Sequence, residues 1–459
     1  MPAMPTSTIA PVVYDDLNAL ASLFEHAFFR SWLHAGLYQR KSDSLLHQGA
    51  KTGRRLCDHV ISMGRTLILI DVHQGVFDSH DDLAQEWGRF RKMALPNSRR
   101  RLAELEQQLH QQAALYWDDA CQERVVVEPE HIYKLCITAA FERNDQQYSA
   151  ILHSYGSDFY RESFVQDEED NPLLVYSLGD FSAVVGQLES FPDFLDFLAQ
   201  HHQTVQTDRQ EYSSELELLE QHIATGRPFL QGWALEKQWL ADGLKQHRSL
   251  LLGQALTQPP EVFAQLHDRS LLWRQLIVRY AWHAVDSAPH ERDERMSLLE
   301  ILADESLLSQ ALLSEAMVHQ AAFAAAKADD GYVVHLRSST HARRHYVLFF
   351  YAQSVGHRYS RDQMVGELPT LAEQINAQEQ APLLDDVLVL GIASQHGQFV
   401  SADIAHLVGH VVQPPRVHAI QSGEHRAVNR GARRDGAVGR TDPCPCQSGR
   451  RYKHCCGRS

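Results

Sequence analysis

The apolar positions Leu17, Leu20, Leu23, Phe24, Ala27, Phe28 and Leu33 recur every three or four residues, which predicts a helix over 14–38. A polar stretch, 39–55, follows it. Residues 56–61 and 66–72 are short runs rich in Leu, Ile and Val. They flank Ser62-Met63-Gly64-Arg65 and predict two strands of a hairpin. Residues 78–90 and 99–117 carry helical spacing, with Pro96 and Asn97 expected to divide them. Residues 132–139 form another apolar strand pattern. A helix, hairpin, helix, strand order suits a mixed α/β domain over 1–155.

After an acidic segment, 167–171, the period turns helical. Helices are expected over 180–202 with an interruption at Pro192, and over 213–225 with Gly226 at the end. Others are expected over 233–247, 271–285, 295–303 and 307–328. Strands return at 332–337 and 345–351, which could form a second hairpin. Residues 360–378 then read as a helix, 386–392 as a buried strand and 401–412 as a last helix. The pattern therefore predicts a multidomain α/β protein. Its expected parts are a mixed N-terminal domain over 1–155, a mainly helical region over 156–330 and a small α/β region over 331–412. Pro414 and Pro415 stop the last helix, and 413–440 has the Gly, Arg and His content of a flexible basic linker. The remaining residues, 441–459, form a cysteine-rich tail.

A chain of 459 residues exceeds one ordinary core, which agrees with several domains. No apolar run approaches the roughly 20 residues of a membrane span, and no basic start precedes an apolar core at the N-terminus. A cytoplasmic protein without a membrane span is the expectation. The net charge of −15 disfavours broad phosphate binding, so any nucleic-acid contact would be local. The charge is uneven. From Gln413 onward the chain holds ten basic and three acidic residues, or +7, leaving −22 on the rest. That is a basic arm on an acidic body.

Four of the seven cysteines, Cys444, Cys446, Cys455 and Cys456, fall in the last sixteen residues. In a chain without a secretion signal, such clustering points to metal before disulfide. Adjacent Cys455 and Cys456 are poorly placed to pair with each other. A Cys-x-Cys pair and a Cys-Cys pair, eight residues apart, can supply the four thiolates of a tetrahedral zinc site at about 2.3 Å. Ser448-Gly449 provides the turn between them, and Arg450, Arg451 and Lys453 offset thiolate charge. With four protein ligands the zinc would be structural, and its binding would supply the folding energy of so short a segment.

This segment closely resembles the SEC-C motif, the zinc tail of the SecA translocation ATPase that is also appended to other bacterial proteins. The motif reads Cys-Pro-Cys-Gly-Ser-Gly, two basic residues, Tyr-Lys, any residue, Cys, Cys or His, Gly. Gln447 stands where the first glycine is usual, and the other positions fit. The resemblance implies a tail that engages a protein partner or the ribosome. It does not imply a translocase. No Gly-x-x-x-x-Gly-Lys-Ser/Thr phosphate loop is present.

The first hairpin carries the second candidate site. Asp58 lies in the first strand and Asp71 ends the second, Asp71 and His73 share a face by the period of two, and antiparallel pairing could bring all three together at one edge. Two carboxylates with a third polar group could hold Mg²⁺ and orient a water for phosphodiester attack. They could equally be capping or solvated residues of a half-buried hairpin. The order resembles the restriction-endonuclease-like nucleases, in particular the nuclease-related (NERD) branch. The resemblance matches Asp58 and Asp71 to the two strand acids, Glu25 to the helix Glu and Gln108 to the helix Gln. His73 stands where that family has Lys. Histidine there would stabilise an attacking hydroxide chiefly when protonated.

Of the 27 histidines, His201-His202 at a helix end and His335, His341 and His345 around the second hairpin are expected as surface or hairpin residues. Arg337, Arg343, Arg344 and Arg358 with Tyr346, Tyr351 and Tyr359 could form a basic-aromatic surface for single-stranded nucleic acid. A solvated turn suits them better. The first reading is thus an interaction protein or adaptor acting through a zinc tail, with a degenerate nuclease-like N-terminal domain. A Mg²⁺-dependent nuclease using Asp58 and Asp71 is the alternative, and a scaffold with purely structural zinc is a third.

Overall fold

The computed structural model describes residues 32–41, 52–77, 83–142, 171–205, 215–235, 245–285, 289–326, 332–341, 343–352, 384–395 and 398–410. The helix expected over 14–31, Glu25, the helix expected over 360–378, Arg358, Tyr359, the linker and all four tail cysteines lie outside them. The described residues up to Ala316, with Arg337–Arg343, form one compact unit. Met317–Leu336 and the described residues from Arg344 onward form a second.

The first unit is built on a five-stranded sheet of β1 (Leu33–His34), β4 (His59–Met63), β5 (Thr66–Phe77), β7 (His131–Glu142) and β8 (Leu173–Ser177), in that spatial order. β1, β4 and β5 are antiparallel neighbours, whereas β5, β7 and β8 run parallel. Here the predicted hairpin forms, closing on Gly64 and Arg65 with Met63 opposite Thr66. Gly64 takes a φ of +56°, which a tight turn asks of its residue. The chain crosses from β5 to β7 through α1 (Leu83–His110), the connection that parallel strands require. α1 covers one face of the sheet with Phe90, Ala94, Leu102, Leu105 and Leu109, against Val60, Leu67, Leu69 and Cys136. α2 (Leu178–Leu188) packs on β7 and β8. Burial on both faces explains why Leu67-Ile68-Leu69-Ile70 is continuously apolar rather than alternating.

Several expectations are corrected in this unit. The helix expected to reach residue 38 does not, because Leu33–His34 is β1 and Tyr38–Arg40 is β2. β2 joins β3 (Gly53–Arg55) and β6 (Leu115–Tyr116) in a small antiparallel sheet, so the polar stretch contributes strands as well. The two helices expected around Pro96 are one. Pro96 sits on the exposed side of α1, where the lost N–H bond faces water, while the buried residues continue on both sides of it. α1 also stops at His110 rather than at 117. Gln112 adopts a φ of +54°, the Gln112 N–H donates to the Leu109 carbonyl and the Ala113 N–H to the Gln108 carbonyl, which is a Schellman close.

Gly36 connects β1 to β2 at a φ of +111°. A Cβ there would lie 2.5 Å from the Cys57 carbonyl oxygen. Gly36→Ala is expected to cost about 2 kcal/mol, from the strained φ and the clash together, and to lower the denaturant midpoint. An unchanged midpoint would show that this close approach of backbones is relaxed in solution.

The helical part of the unit continues with α3 (Phe191–Gln203), α4 (Glu215–Ala224), α5 (Leu230–Leu235), α6 (Lys245–Ala255), α7 (Pro259–Val285), α8 (Pro289–Ala303) and the start of α9 (Leu307–Ala326). The interruption expected near Pro192 is present at Glu189 and Ser190, and Pro192 opens α3. It follows the Ser190 cap, whose hydroxyl accepts the Asp193 N–H. Gly226 follows α4 at a φ of +72°, as expected. The buried Asp193 carboxylate accepts the Leu307 N–H at 2.7 Å and so caps α9 from another helix. His201 is buried, not a surface residue, and its Nδ1 lies 2.8 Å from the Tyr176 hydroxyl.

The second unit holds a four-stranded sheet in the order β12 (Gln398–His410), β11 (Leu384–Gln395), β10 (Arg344–Ala352), β9 (Tyr332–Arg337). β10 and β11 are parallel, and β11 and β12 antiparallel. Residues 401–410, expected as helix, are therefore strand. Val400, Ala402, Ile404, His406 and Val408 alternate with Ser401, Asp403, Ala405 and Leu407, so this stretch suits a strand as well as a helix. Pairing with β11 decides it. Arg344, His345 and Tyr346 are buried, which removes them from the basic-aromatic surface and from the exposed hairpin turn. The fold is a mixed, multidomain α/β arrangement.

Candidate functional site

Strand pairing brings Asp58 and Asp71 together. Asp58 sits just before β4, and its N–H donates to the Ile70 carbonyl at 3.0 Å. Its Oδ2 accepts the Val72 N–H at 2.9 Å, which places the carboxylate beside Asp71. Asp71 is fully buried on β5. The sequence reading did not anticipate what fills the space between them. Arg101 of α1 points its guanidinium at both carboxylates, 3.2 Å from Asp71 Oδ1 and 3.7 Å from Asp58 Oδ1. Its Nε donates to the Leu56 carbonyl. Arg55 approaches Asp58 Oδ1 at 3.8 Å and donates to the Ala35 carbonyl at 2.8 Å. His73 Nε2 lies 2.7 Å from the Ser98 hydroxyl, one turn before Arg101 on α1.

Burial pushes the Asp71 carboxyl up to about 7, outweighing the opposing pull of Arg101. Burial also draws the His73 imidazole below its ordinary value, and Arg101 adds to this against Asp58. His73 is thus mostly neutral at pH 7 and supplies no fixed positive charge beside the acids. Gln108 lies two turns beyond Arg101, about 10 Å along α1, and the structure does not bring it to the acids. Its side-chain oxygen is buried without a hydrogen-bond partner. Asp58, Asp71 and His73 therefore converge and Gln108 does not, while Glu25 lies outside the described residues. Ser98 and Arg101 were missed. The run Arg99-Arg100-Arg101 behind a serine, in an acidic chain, was the signal that could have found them.

Mg²⁺ can be tested against this donor set. Asp71 offers buried carboxylate oxygens, as a cation ligand would, although Ser98 and the Asp58 backbone also reach it. The rest does not fit. Arg101 stands against both carboxylates, Asp58 Oδ2 is engaged by backbone, and His73 faces Ser98. No group of three His, Cys, Asp or Glu residues is arranged for a metal among the described residues. A cleft of about 470 Å³ lies by the opposite end of the hairpin, lined by Arg65, His110, Arg124 and Val126 among others, and contains none of the expected site residues.

The tail is identified by comparison. Residues 440–458 match the SEC-C motif. Residues 440–458 are a SEC-C motif. The SEC-C stretch contains Cys444, Cys446, Cys455 and Cys456. Protein translocase subunit SecA of Pelotomaculum thermopropionicum is 71% identical over 28 residues, 6% of this chain and 3% of the relative. SecA of Acidithiobacillus ferrooxidans is 30% identical over 188 residues, 38% of this chain and 20% of the relative. SecA of Treponema pallidum is 39% identical over 87 residues, 17% of this chain and 9% of the relative. The chain thus spans a fifth or less of the length of these relatives. No solved structure matches it. No helix among the described residues is long and apolar enough to cross a membrane.

Proposed function

We propose that this chain is a cytoplasmic interaction protein that docks a protein or ribosomal partner through its zinc-bound SEC-C tail. The SEC-C match over residues 440–458 is the observation that carries this reading. Cys444, Cys446, Cys455 and Cys456 hold a structural zinc, and the +7 charge from Gln413 onward favours an acidic partner surface. Residues 413–440 act as a tether that lets the tail search around the body. The SecA relatives are protein translocase subunits, which favours a partner connected with protein translocation.

In this reading the N-terminal domain is nuclease-like in arrangement and inactive. Support comes from the hairpin, helix and parallel strand of β4, β5, α1 and β7, and from Asp58 beside Asp71. A neutral His73 and the Arg101 contact argue against turnover.

The full chain, tagged at its N-terminus, is tested for capture of purified ribosomes and of proteins from a bacterial extract, with and without zinc stripping. Zinc removal and the paired substitution Cys455→Ser, Cys456→Ser should abolish capture of the same partner. If every partner is retained after zinc removal, the tail is a structural clip and the interaction role falls.

A further inference from the structure

We propose that Arg101 is the resident cation of the Asp58–Asp71 site and that its guanidinium keeps divalent metal out. The inference deepens the inactive-site part of the reading above, and it rests on that reading only in regarding this place as a former metal centre.

Two carboxylates held side by side on the inner strands of a sheet need positive charge between them. A divalent ion would provide it through oxygen ligands near 2.1 Å. Here a guanidinium provides it instead, 3.2 Å from one carboxylate and 3.7 Å from the other. Its planar fork can face both acids at once, and it stays charged at every working pH. Three features hold it there. Its Nε donates to the Leu56 carbonyl just ahead of Asp58. It lies on the same side of α1 as Leu102 and Leu105, which are buried against the sheet. One turn earlier, Ser98 is buried beside His73. A metal and this guanidinium cannot share the site, because ligand contact to Asp71 Oδ1 would require the space that Arg101 occupies.

The replacement rests on one side chain, and this makes it testable. Among the described residues Arg101 is the cation that reaches the fully buried Asp71, while Arg55 approaches Asp58 at 3.8 Å. Removing the guanidinium would leave a pair of carboxylates with no counter-charge from α1. That is an oxygen donor set suited to a hard cation.

The experiment uses the full-length, zinc-loaded chain and Mn²⁺ as the probe, followed by the electron paramagnetic resonance signal of free Mn²⁺. Wild type should bind no Mn²⁺ beyond what an Asp58→Asn, Asp71→Asn double variant binds. Arg101→Gln should take up one further equivalent, and adding Asp71→Asn to it should remove that equivalent. Arg101→Lys should stay metal-free, since an ammonium keeps the charge in place. Wild-type binding that Asp71→Asn abolishes would overturn the proposal, and so would an Arg101→Gln variant that takes up no Mn²⁺. Should Arg101→Gln fold poorly, its thermal midpoint is measured with and without Mn²⁺. A rise confined to this variant supports the proposal, and no rise overturns it. None of these results involves the tail cysteines, so loss of partner capture and failure of this inference are read separately.

Discussion

Replacing Cys455 and Cys456 together by serine should take the purified full-length chain from one bound zinc to none. Zinc needs four soft ligands here, and the substitution removes one whole pair of them. Two cysteines, Cys444 and Cys446, cannot close the tetrahedron. A motif of about twenty residues has no core of its own, so metal is expected to supply its folding energy. Structural zinc in short peptides is worth roughly 10–16 kcal/mol at neutral pH. Loss of a ligand pair is therefore expected to leave the tail unfolded rather than weakened. The check is zinc content by mass spectrometry on protein prepared without chelator, beside a protease digest of the tail. The tail should become cleavable while the body keeps its unfolding midpoint. Because the ligands must be thiolates, acidification should release the same zinc as protons compete for sulfur. A wild-type chain with no zinc would remove the premise of the proposed function. A variant that keeps its zinc would place the metal elsewhere. The buried Cys57, Cys121 and Cys136 are scattered through the first unit and offer no second cluster of cysteines.

The second large effect belongs to Asp71. Its carboxyl titrates near 7 in the folded chain, pushed up chiefly by burial, against an ordinary value of 3.8. Between those values the folded protein holds a proton that the unfolded chain releases. Stability should therefore fall as pH rises from about 4 to about 7, with the whole penalty present above that range. Three units correspond to about 4 kcal/mol as an upper figure. Asp71→Asn keeps the shape and removes the ionisation. The variant should match wild type near pH 4 and exceed it at pH 8 by about 2–4 kcal/mol in urea unfolding. Arg101 is left without one partner, but its side chain is 35% exposed and can turn to water. Equal stabilities at both pH values would show that Asp71 ionises freely and that Arg101 balances it in full. A gain of this size would also mean that the native carboxylate is retained at a cost in stability.

Much of the framework was legible in the sequence. The β4–β5 hairpin, β7 and β11 are dense apolar runs bounded by turn residues, and such runs become buried strands whatever surrounds them. Pro192 and Gly226 marked helix ends because their backbone preferences act within one or two residues. The closeness of Asp58 and Asp71 was readable too, since a hairpin fixes its own register. Arg101 was not. It lies 30 residues beyond Asp71 in sequence, and its direction depends on how α1 lies across the sheet. His73 has the right spacing for a catalytic cation, yet its charge state follows from the burial that packing imposes.

The sequence by itself determined the SEC-C cysteines Cys444, Cys446, Cys455 and Cys456, the basic tail and the alternation of sheet and helix, because each depends on neighbours a few residues away. Tertiary structure alone decided three things. α1 runs unbroken through Pro96 because that residue faces water while the rest of the helix packs on β5 and β7. Residues 398–410 became a strand because β11 needed a partner for its open edge. The acidic pair acquired a guanidinium because α1 delivers Arg101 to it, and a long-range contact of that kind leaves no periodic trace in the chain.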